Sequence, residues 1–373
     1  MNKLTNILII TLTAAMIFGF SAAGVLLPAR FYSAEERRVL AQRPDLSAAS
    51  GDLAGFTADY EAYTLDQFPL RSRMRRIKAV VGRKIFRRMD YNGYYLADGP
   101  AGGSLSRLDY PLNEEALAET AAFLGQVYDR FLAGTDCRAY LSIIPDKNVY
   151  LAGPNGYPAP DYIKMIETVR EALPEAAYLD LFPHLSAEDY YRTDPHWRQE
   201  RLTGIALRLA EGMGADASAE YEIVTSDTPF YGAYYGQALI DLPPDELCRL
   251  TNDALEACTV TSYDTGKPKT VPLYDPEKAA GRDPYEMFLN GSDALLTVEN
   301  PAGPEGRELV IFRDSFGSSL APLFVPGYAK ITLVDLRYLR PDDLPRYLTF
   351  EEQDVLFLYS TLILNSGLFR TAG

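Results

Sequence analysis

Two histidines serve a chain of 373 residues, and one of them, His196, follows Asp194 by two positions in RTDPHWRQE (192–200), beside the only tryptophan, Trp197. In extended backbone, side chains two apart point the same way. A carboxylate so placed can hold an imidazole in one tautomer, which is what a general base requires. Asp194-Pro195 also has the form of a helix start, with aspartate at the N-cap and proline at the first helical position. The two uses are compatible, because a carboxylate has two oxygens. The other histidine, His184 in LFPHLSAED, follows a proline and meets no carboxylate before Glu188.

A histidine base serves a nucleophile, and RELVIFRDSFGSS (307–319) has the shape one needs. Leu309 to Phe312 form an apolar strand, Asp314 and Ser315 fall at its carboxyl end, and Gly317 opens a turn into a helix. Open α/β sheets bind ligands at the carboxyl ends of their strands. A helix starting after Ser315 would also aim backbone N–H groups and its positive dipole end at an oxyanion. Asp and Ser are equally ordinary helix caps, so this serine depends on His196 for its chemical meaning.

Other chemistries have little support. No His-x-x-x-His or cysteine pair has zinc-ligand spacing, and neither a metal nor a cofactor is expected. Cys137, Cys248 and Cys258 are too scattered for a disulfide framework, with a Cys248–Cys258 bridge the one plausible pairing outside the cell. Lys plus Arg number 36 against 51 Asp plus Glu, a net charge of −15. That balance argues against a nucleic-acid binder and favours a neutral or soluble polar partner.

The elements that must position these residues follow an anchor. The uncharged run NILIITLTAAMIFGFSAAGVLLPA (6–29) is as long as the ~20 apolar residues a bilayer-crossing helix needs. It continues to Leu27, beyond the ~7–15 residues of a signal-peptide core, so an uncleaved anchor is favoured over a signal cleaved near SAAG (21–24). Lys3 on one flank and Arg30, Arg37 and Arg38 on the other, diluted by Glu35 and Glu36, leave the orientation open. A single N-terminal anchor with a large body most often exports that body.

Residues 31–90 form a juxtamembrane helical segment. Within it LRSRMRRIKAVVGRKIFRRM (70–89) holds nine Lys or Arg in twenty residues. Leu70, Met74, Ile77, Val81, Ile85 and Met89 mark one helical stripe. The favoured reading is an Arg-rich outer face on a helix docked to an acidic domain; contact with lipid head groups or an anionic wall polymer is the other.

From residue 91 to 373 helices alternate with apolar strands, which implies an α/β domain with a mostly parallel sheet covered by helices. Helices are expected over 113–133, 161–173 and near 196–213, and strands over 137–145, 176–182, 309–312, 328–337 and 354–360. Residues 215–300, rich in Pro, Gly, Asp and Tyr, are expected as an inserted lobe of short strands and loops, including 258–264 and 294–300.

Asp194-Pro195-His196-Trp197 resembles the signature of the DHHW family, and RDSFGSS (313–319) resembles its serine block. SAEERRVLAQRPDL (33–46), LDQFPLR (65–71), IIPDKNVYL (143–151) and VDLRYL (334–339) look like further family segments, so the resemblance covers most of the chain beyond the anchor. These proteins are similar to the alginate O-acetyltransferase J and X proteins, whose catalytic domain is SGNH-hydrolase-like. There too an Asp-x-His precedes the serine. The resemblance implies Asp194 as orienter, His196 as base and Ser315 as nucleophile. Pro195 stands where the signature has its first histidine; the base role belongs to the second. The family's glycine and asparagine blocks have no clear counterpart, although Gly236, Gln237 and Asn365 are candidates for oxyanion donors, with turn and capping roles equally open.

The implied protein is a membrane-anchored, extracytoplasmic serine enzyme. It would transfer or hydrolyse an acyl group, most plausibly acetyl, on a cell-surface glycan or acetylated sugar. A polytopic membrane O-acyltransferase is the partner the analogy suggests. The rival is a noncatalytic envelope protein that binds glycan in a degenerate SGNH fold.

Overall fold

The computed structural model describes residues 3–33, 35–36, 38–47, 51–99, 102–264, 266–367 and 369, and Arg37 lies outside them. Two compact units emerge, one made of residues 1–92 with 236–240, the other of 93–235 with 241–373.

In the first unit α1 (Lys3–Leu26) has a mean hydropathy of 2.1 over its most apolar window, long and apolar enough to cross a membrane as an anchor or to act as a signal. A two-stranded ribbon, β1 (Tyr32–Ser33) with β2 (Arg38–Val39), leads to α2 (Leu53–Asp66) and α3 (Arg71–Lys84). Asp52 caps α2 by accepting from the Gly55 N–H. The arginines of α3 do not all form its outer face: Arg73 is exposed, but three others are tied to carboxylates. Arg71, Arg75 and Arg76 turn inward to Glu36 and Glu35, and Arg38 spans Glu36 and Asp66. Arg71, Arg75 and Arg38 hold the Glu36 carboxyl below its usual range against the opposing effect of burial. The ion pairs determine which side of α3 faces the unit, overriding its apolar stripe.

The second unit begins with the hairpin β3 (Tyr94–Ala97) and β4 (Ser104–Arg107), followed by α4 (Glu114–Phe131) and β5 (Arg138–Ile144). Asn113 caps α4, which buries Leu117, Ala121 and Leu124 at helical spacing. Next come α5 (Asn148–Leu151), α6 (Tyr162–Ala172), β6 (Ala177–Tyr178), α7 (Thr203–Gly212), β7 (Glu222–Thr225) and α8 (Ala233–Ala238), whose last three residues count with the first unit. The chain continues with β8 (Cys248–Thr251), α9 (Asp253–Glu256), β9 (Thr259–Ser262), β10 (Lys269–Val271), α10 (Pro276–Ala279) and β11 (Leu295–Glu299). It closes with β12 (Glu308–Arg313), α11 (Phe316–Leu320), β13 (Lys330–Val334), β14 (Asp354–Ser360) and α12 (Thr361–Leu364).

Eight strands form one mixed sheet in the order β10-β9-β11-β13-β12-β14-β5-β6. The five from β13 to β6 are parallel and the three at the β10 edge antiparallel. Apolar layers cover both faces: Ile311, Leu333 and Leu356 pack to one side with α7, while Phe312, Val334 and Phe357 pack to the other with α4 and α6. That two-sided burial explains why β12 and β14 are continuous apolar runs.

Two expectations change. Residues 215–300 do contribute the separate ribbon of β7 and β8, but β9, β10 and β11 hydrogen-bond into the central sheet and form its antiparallel edge. Pro- and Gly-rich connections hid that pairing, because an antiparallel edge needs no crossover helix to announce it. No helix starts at Asp194-Pro195. The stretch is the tip of a hairpin closed by Tyr191 N–H to the His196 carbonyl (3.1 Å) and Arg198 N–H to the Asp189 carbonyl (2.8 Å). Helix α7 begins only at Thr203.

Candidate active site

Strand β12 lies between β13 and β14, and its carboxyl end delivers Arg313, Asp314 and Ser315. Asp314 ties that end down with both oxygens: Oδ2 accepts from the Ser360 N–H at the end of β14 (2.8 Å) and Oδ1 from the Phe316 N–H (3.0 Å). The Gly317 N–H is taken by the Asp314 carbonyl and the Ser318 N–H by that of Ser315. The expectation that amides at the start of α11 lie open for an oxyanion therefore fails for Phe316, Gly317 and Ser318. A five-residue helix starting this tightly spends those donors on its own turn.

The 189–198 hairpin brings His196 to the same place. Its Nε2 lies 2.8 Å from Ser315 Oγ and its Nδ1 2.6 Å from Asp194 Oδ1. That same oxygen accepts the His196 backbone N–H (3.1 Å), and Oδ2 accepts from the Ala233 N–H (2.8 Å). A carboxylate this firmly held, 1% exposed, leaves the imidazole one favourable tautomer, with the proton on Nδ1 and Nε2 free to accept from the serine hydroxyl. Asp194, His196 and Ser315 thus form one hydrogen-bonded line across 119 residues of sequence separation between base and serine.

Aromatic side chains fix the imidazole plane. Tyr285 stacks on His196 with ring centroids 3.7 Å apart and planes inclined by 9°, and Phe316 leans on it at 4.7 Å and 50°. Trp197 packs edge-on against Phe316, and its Nε1 donates to the Phe316 carbonyl and to Ser319 Oγ. Ser319 Oγ also pairs with the Tyr285 hydroxyl at 2.7 Å. Fully buried Gln199 spans three pieces, donating to the Ser319 carbonyl and Tyr274 hydroxyl and accepting from the Leu250 N–H.

The loop after β5 supports the hairpin from behind. Lys147, 1% exposed, donates from Nζ to the carbonyls of Tyr191 (2.8 Å) and Arg192 (3.2 Å) and to Ser104 Oγ (3.3 Å). Burial pushes its pKa down to about 7, against the pull of Asp245, Asp194 and Asp146. Asp245 adds a second clamp, accepting from the N–H and hydroxyl of Thr193. Gly232 passes so close that a Cβ there would lie 2.3 Å from the Asp194 Cβ.

The triad opens into a pocket of about 170 Å³, walled by Asp283, Glu286, Gly291, Ser292, Arg337 and Tyr338. Arg337 is held by Asp335 through Nε (2.9 Å) and is the cation of this wall. Buried Arg313 braces the same wall from behind, through the Asp293 carbonyl (3.1 Å) and the Gly291 carbonyl (3.5 Å). A substrate of modest size and mixed polarity fits such a cleft.

The chain has the fold of a DHHW family protein from Eubacterium siraeum. The two agree with a TM-score of 0.61 at 21% identity, over 75% of this chain and 95% of that one. PatB1 of Bacillus cereus, in a structure with a sulfonyl adduct, gives a TM-score of 0.57 at 18% identity, over 75% and 99% of the two chains. The O-acetyltransferase domain of Pseudomonas putida AlgJ gives 0.43 at 16%, over 74% and 92%. No family model and no curated protein sequence matches the chain. Identities this low establish likeness of fold, and function must come from the site.

Several sequence candidates lie elsewhere. His184 is exposed on a short turn. Asn365 spends its amide on Asp109 Oδ2, the Pro111 carbonyl and the Asn113 N–H. Gln237 donates to the Glu36 carbonyl, and Gly236 lets the chain pass against the Glu35 carbonyl. All three cysteines are free thiols, so Cys248 and Cys258 are not bridged, and burial pushes both thiols up. Among the described residues no group of three His, Cys, Asp or Glu side chains is placed to hold a metal. Tyr285, Gln199 and Lys147 were not singled out from sequence; only the Asp-Lys of IIPDKNVYL, an ionisable pair at the end of an apolar strand, carried a signal.

Proposed function

We propose that this protein is an extracytoplasmic, membrane-anchored serine enzyme that transfers or hydrolyses an acyl group, most simply acetyl, on a cell-surface polysaccharide. The single observation that carries this reading is the unbroken line from Asp194 Oδ1 to His196 Nδ1 and from His196 Nε2 to Ser315 Oγ, at 2.6 and 2.8 Å. Ser315 Oγ attacks the ester carbonyl as its proton passes to His196 Nε2, and Asp194 stabilises the imidazolium. Collapse of the tetrahedral adduct expels the alcohol, which takes the proton from His196 and leaves acyl-Ser315. A sugar hydroxyl (transferase) or water (esterase), deprotonated by the same imidazole, then releases the acyl group and regenerates the serine. A pocket of about 170 Å³ suits acetyl better than a long acyl chain. The apolar helix α1 supports the surface location, and the resemblance to the DHHW signature supports the glycan, with a polytopic membrane acyltransferase as the donor partner it implies.

The test is covalent labelling. Purified protein is exposed to an aryl sulfonyl fluoride, the reagent class suggested by the sulfonyl adduct of PatB1, and to a chromogenic acetyl ester. Wild type is expected to label at Ser315 and to turn over the ester. Ser315→Ala and His196→Ala should lose both. Equal behaviour of wild type and the two variants would leave the noncatalytic glycan-binding reading in its place.

A further inference from the structure

We infer that residues 70–89 lie in the head-group interface of an anionic bilayer, with the apolar stripe of α3 facing the acyl chains. The stripe faces outward: Leu70, Met74, Ile77, Val80, Ile85, Phe86 and Met89 are 40–69% exposed. The other face is already occupied, since Arg71, Arg75 and Arg76 are committed to Glu36 and Glu35, and Ala79 and Gly82 are buried. A surface helix normally buries its apolar side and exposes its charges. Here the internal ion pairs invert that order, and the inverted face needs an apolar medium.

Three observations commit the occupant to a charged membrane. Segment 70–89 contains nine Lys or Arg and no Asp or Glu, in a chain whose net charge is −15. Arg73, Lys78, Lys84, Arg87 and Arg88 stay at the surface beside the stripe, and such cations next to exposed aliphatic and aromatic side chains mark helices that lie in the interface of anionic lipid. The third is continuity with α1 in the same unit. Met74 shares a groove of about 740 Å³ with Met16 and Phe20 of α1, and Phe20 stacks on Phe68 at 5.3 Å. An apolar span and an apolar stripe that line one groove can enter one medium together.

The experiment reconstitutes the full chain into two sets of vesicles, phosphatidylcholine alone or mixed with phosphatidylglycerol, each with or without dibrominated acyl chains. Native Trp197 is fully buried, and its signal is subtracted with wild type. In the anionic vesicles Ile77→Trp is expected to emit at shorter wavelength and to be quenched by bromine several-fold more than Ile163→Trp, a control at an exposed position of α6. Quenching should weaken in neutral vesicles and in the Lys78→Glu/Lys84→Glu background. Water-like, unquenched emission from Ile77→Trp in both vesicles would overturn the inference. So would a blue shift without quenching, which would mean that protein covers the stripe. Equal quenching with and without phosphatidylglycerol would overturn the role of anionic lipid. None of these readings depends on Ser315, so they stand apart from the acyl-transfer proposal.

Discussion

The imidazole of His196 lies flat on the phenol ring of Tyr285, 3.7 Å between centroids, while the phenol hydroxyl is bonded to Ser319 in the turn that follows Ser315. One aromatic side chain therefore fixes the plane of the proposed base and links it to the segment carrying the proposed nucleophile. Tyr285→Phe keeps the stacking and gives up one hydrogen bond, a cost of about 1 kcal/mol, with near-normal labelling of Ser315. Tyr285→Ala opens a cavity in the aromatic cluster, costs about 3 kcal/mol or more, and frees the imidazole to rotate. Urea denaturation and the sulfonyl-labelling rate, measured on both variants, should separate the two effects.

Asp194 accepts from the imidazole, the His196 backbone and the Ala233 N–H. Asp194→Asn preserves the shape and removes the charge, and its amide can present N–H to Nδ1, which moves the imidazole proton to Nε2. The base then has no lone pair for Ser315. Ester turnover should fall by about 10³–10⁴-fold, with folding largely retained as judged by the thermal midpoint. Retention of wild-type turnover would mean that Asp194 holds the hairpin only.

Part of this arrangement was legible in the sequence for a chemical reason. With two histidines in the chain, a histidine base could only be His196 or His184, and only one stood near a carboxylate in extended backbone. Strands β12 and β14 were legible because burial on both faces makes a continuous apolar run. What holds the imidazole and its hairpin was not legible: Tyr285 stacks on the ring across 89 residues of sequence and Lys147 bonds the Tyr191 carbonyl across 44, which no local periodicity records. The Asp194-Pro195 pair misled for the opposite reason. Its local preference favours a helix start, and the hairpin bonds at Tyr191 and Arg198 outweigh it. The same holds for α3, whose pattern was right while its inward face was chosen by Glu35 and Glu36.

Gly232 is a position where the backbone itself shapes the site. A methyl group there would meet the Asp194 Cβ at 2.3 Å and the Thr193 carbonyl at 2.5 Å, neither of which can swing aside as a flexible side-chain end could. Gly232→Ala is expected to cost about 1–3 kcal/mol through overpacking and to pull the Ala233 N–H off Asp194. Labelling of Ser315 should slow more than tenfold even at temperatures where the variant is folded. A fully active, fully stable Gly232→Ala would show that the 232–233 turn is not a support of the triad.

Lys147 makes the hairpin's support sensitive to pH. Its ammonium has three donors, matched by the Tyr191 and Arg192 carbonyls and the Ser104 hydroxyl. Burial nevertheless lowers its pKa from 10.5 to about 7. The folded chain thus gives up this proton more readily than the unfolded one. Between about pH 7 and 10.5 the unfolded state binds more protons, and Lys147 makes stability rise with pH through that window. Lys147→Met removes that slope and strands two carbonyl acceptors. Its stability deficit against wild type should be smallest below pH 7 and should widen as the pH is raised, with the Ser315 labelling rate lowered throughout. Urea midpoints of the two proteins, measured across the window, decide the matter: parallel profiles would show that the proton on Lys147 is held equally well in both states.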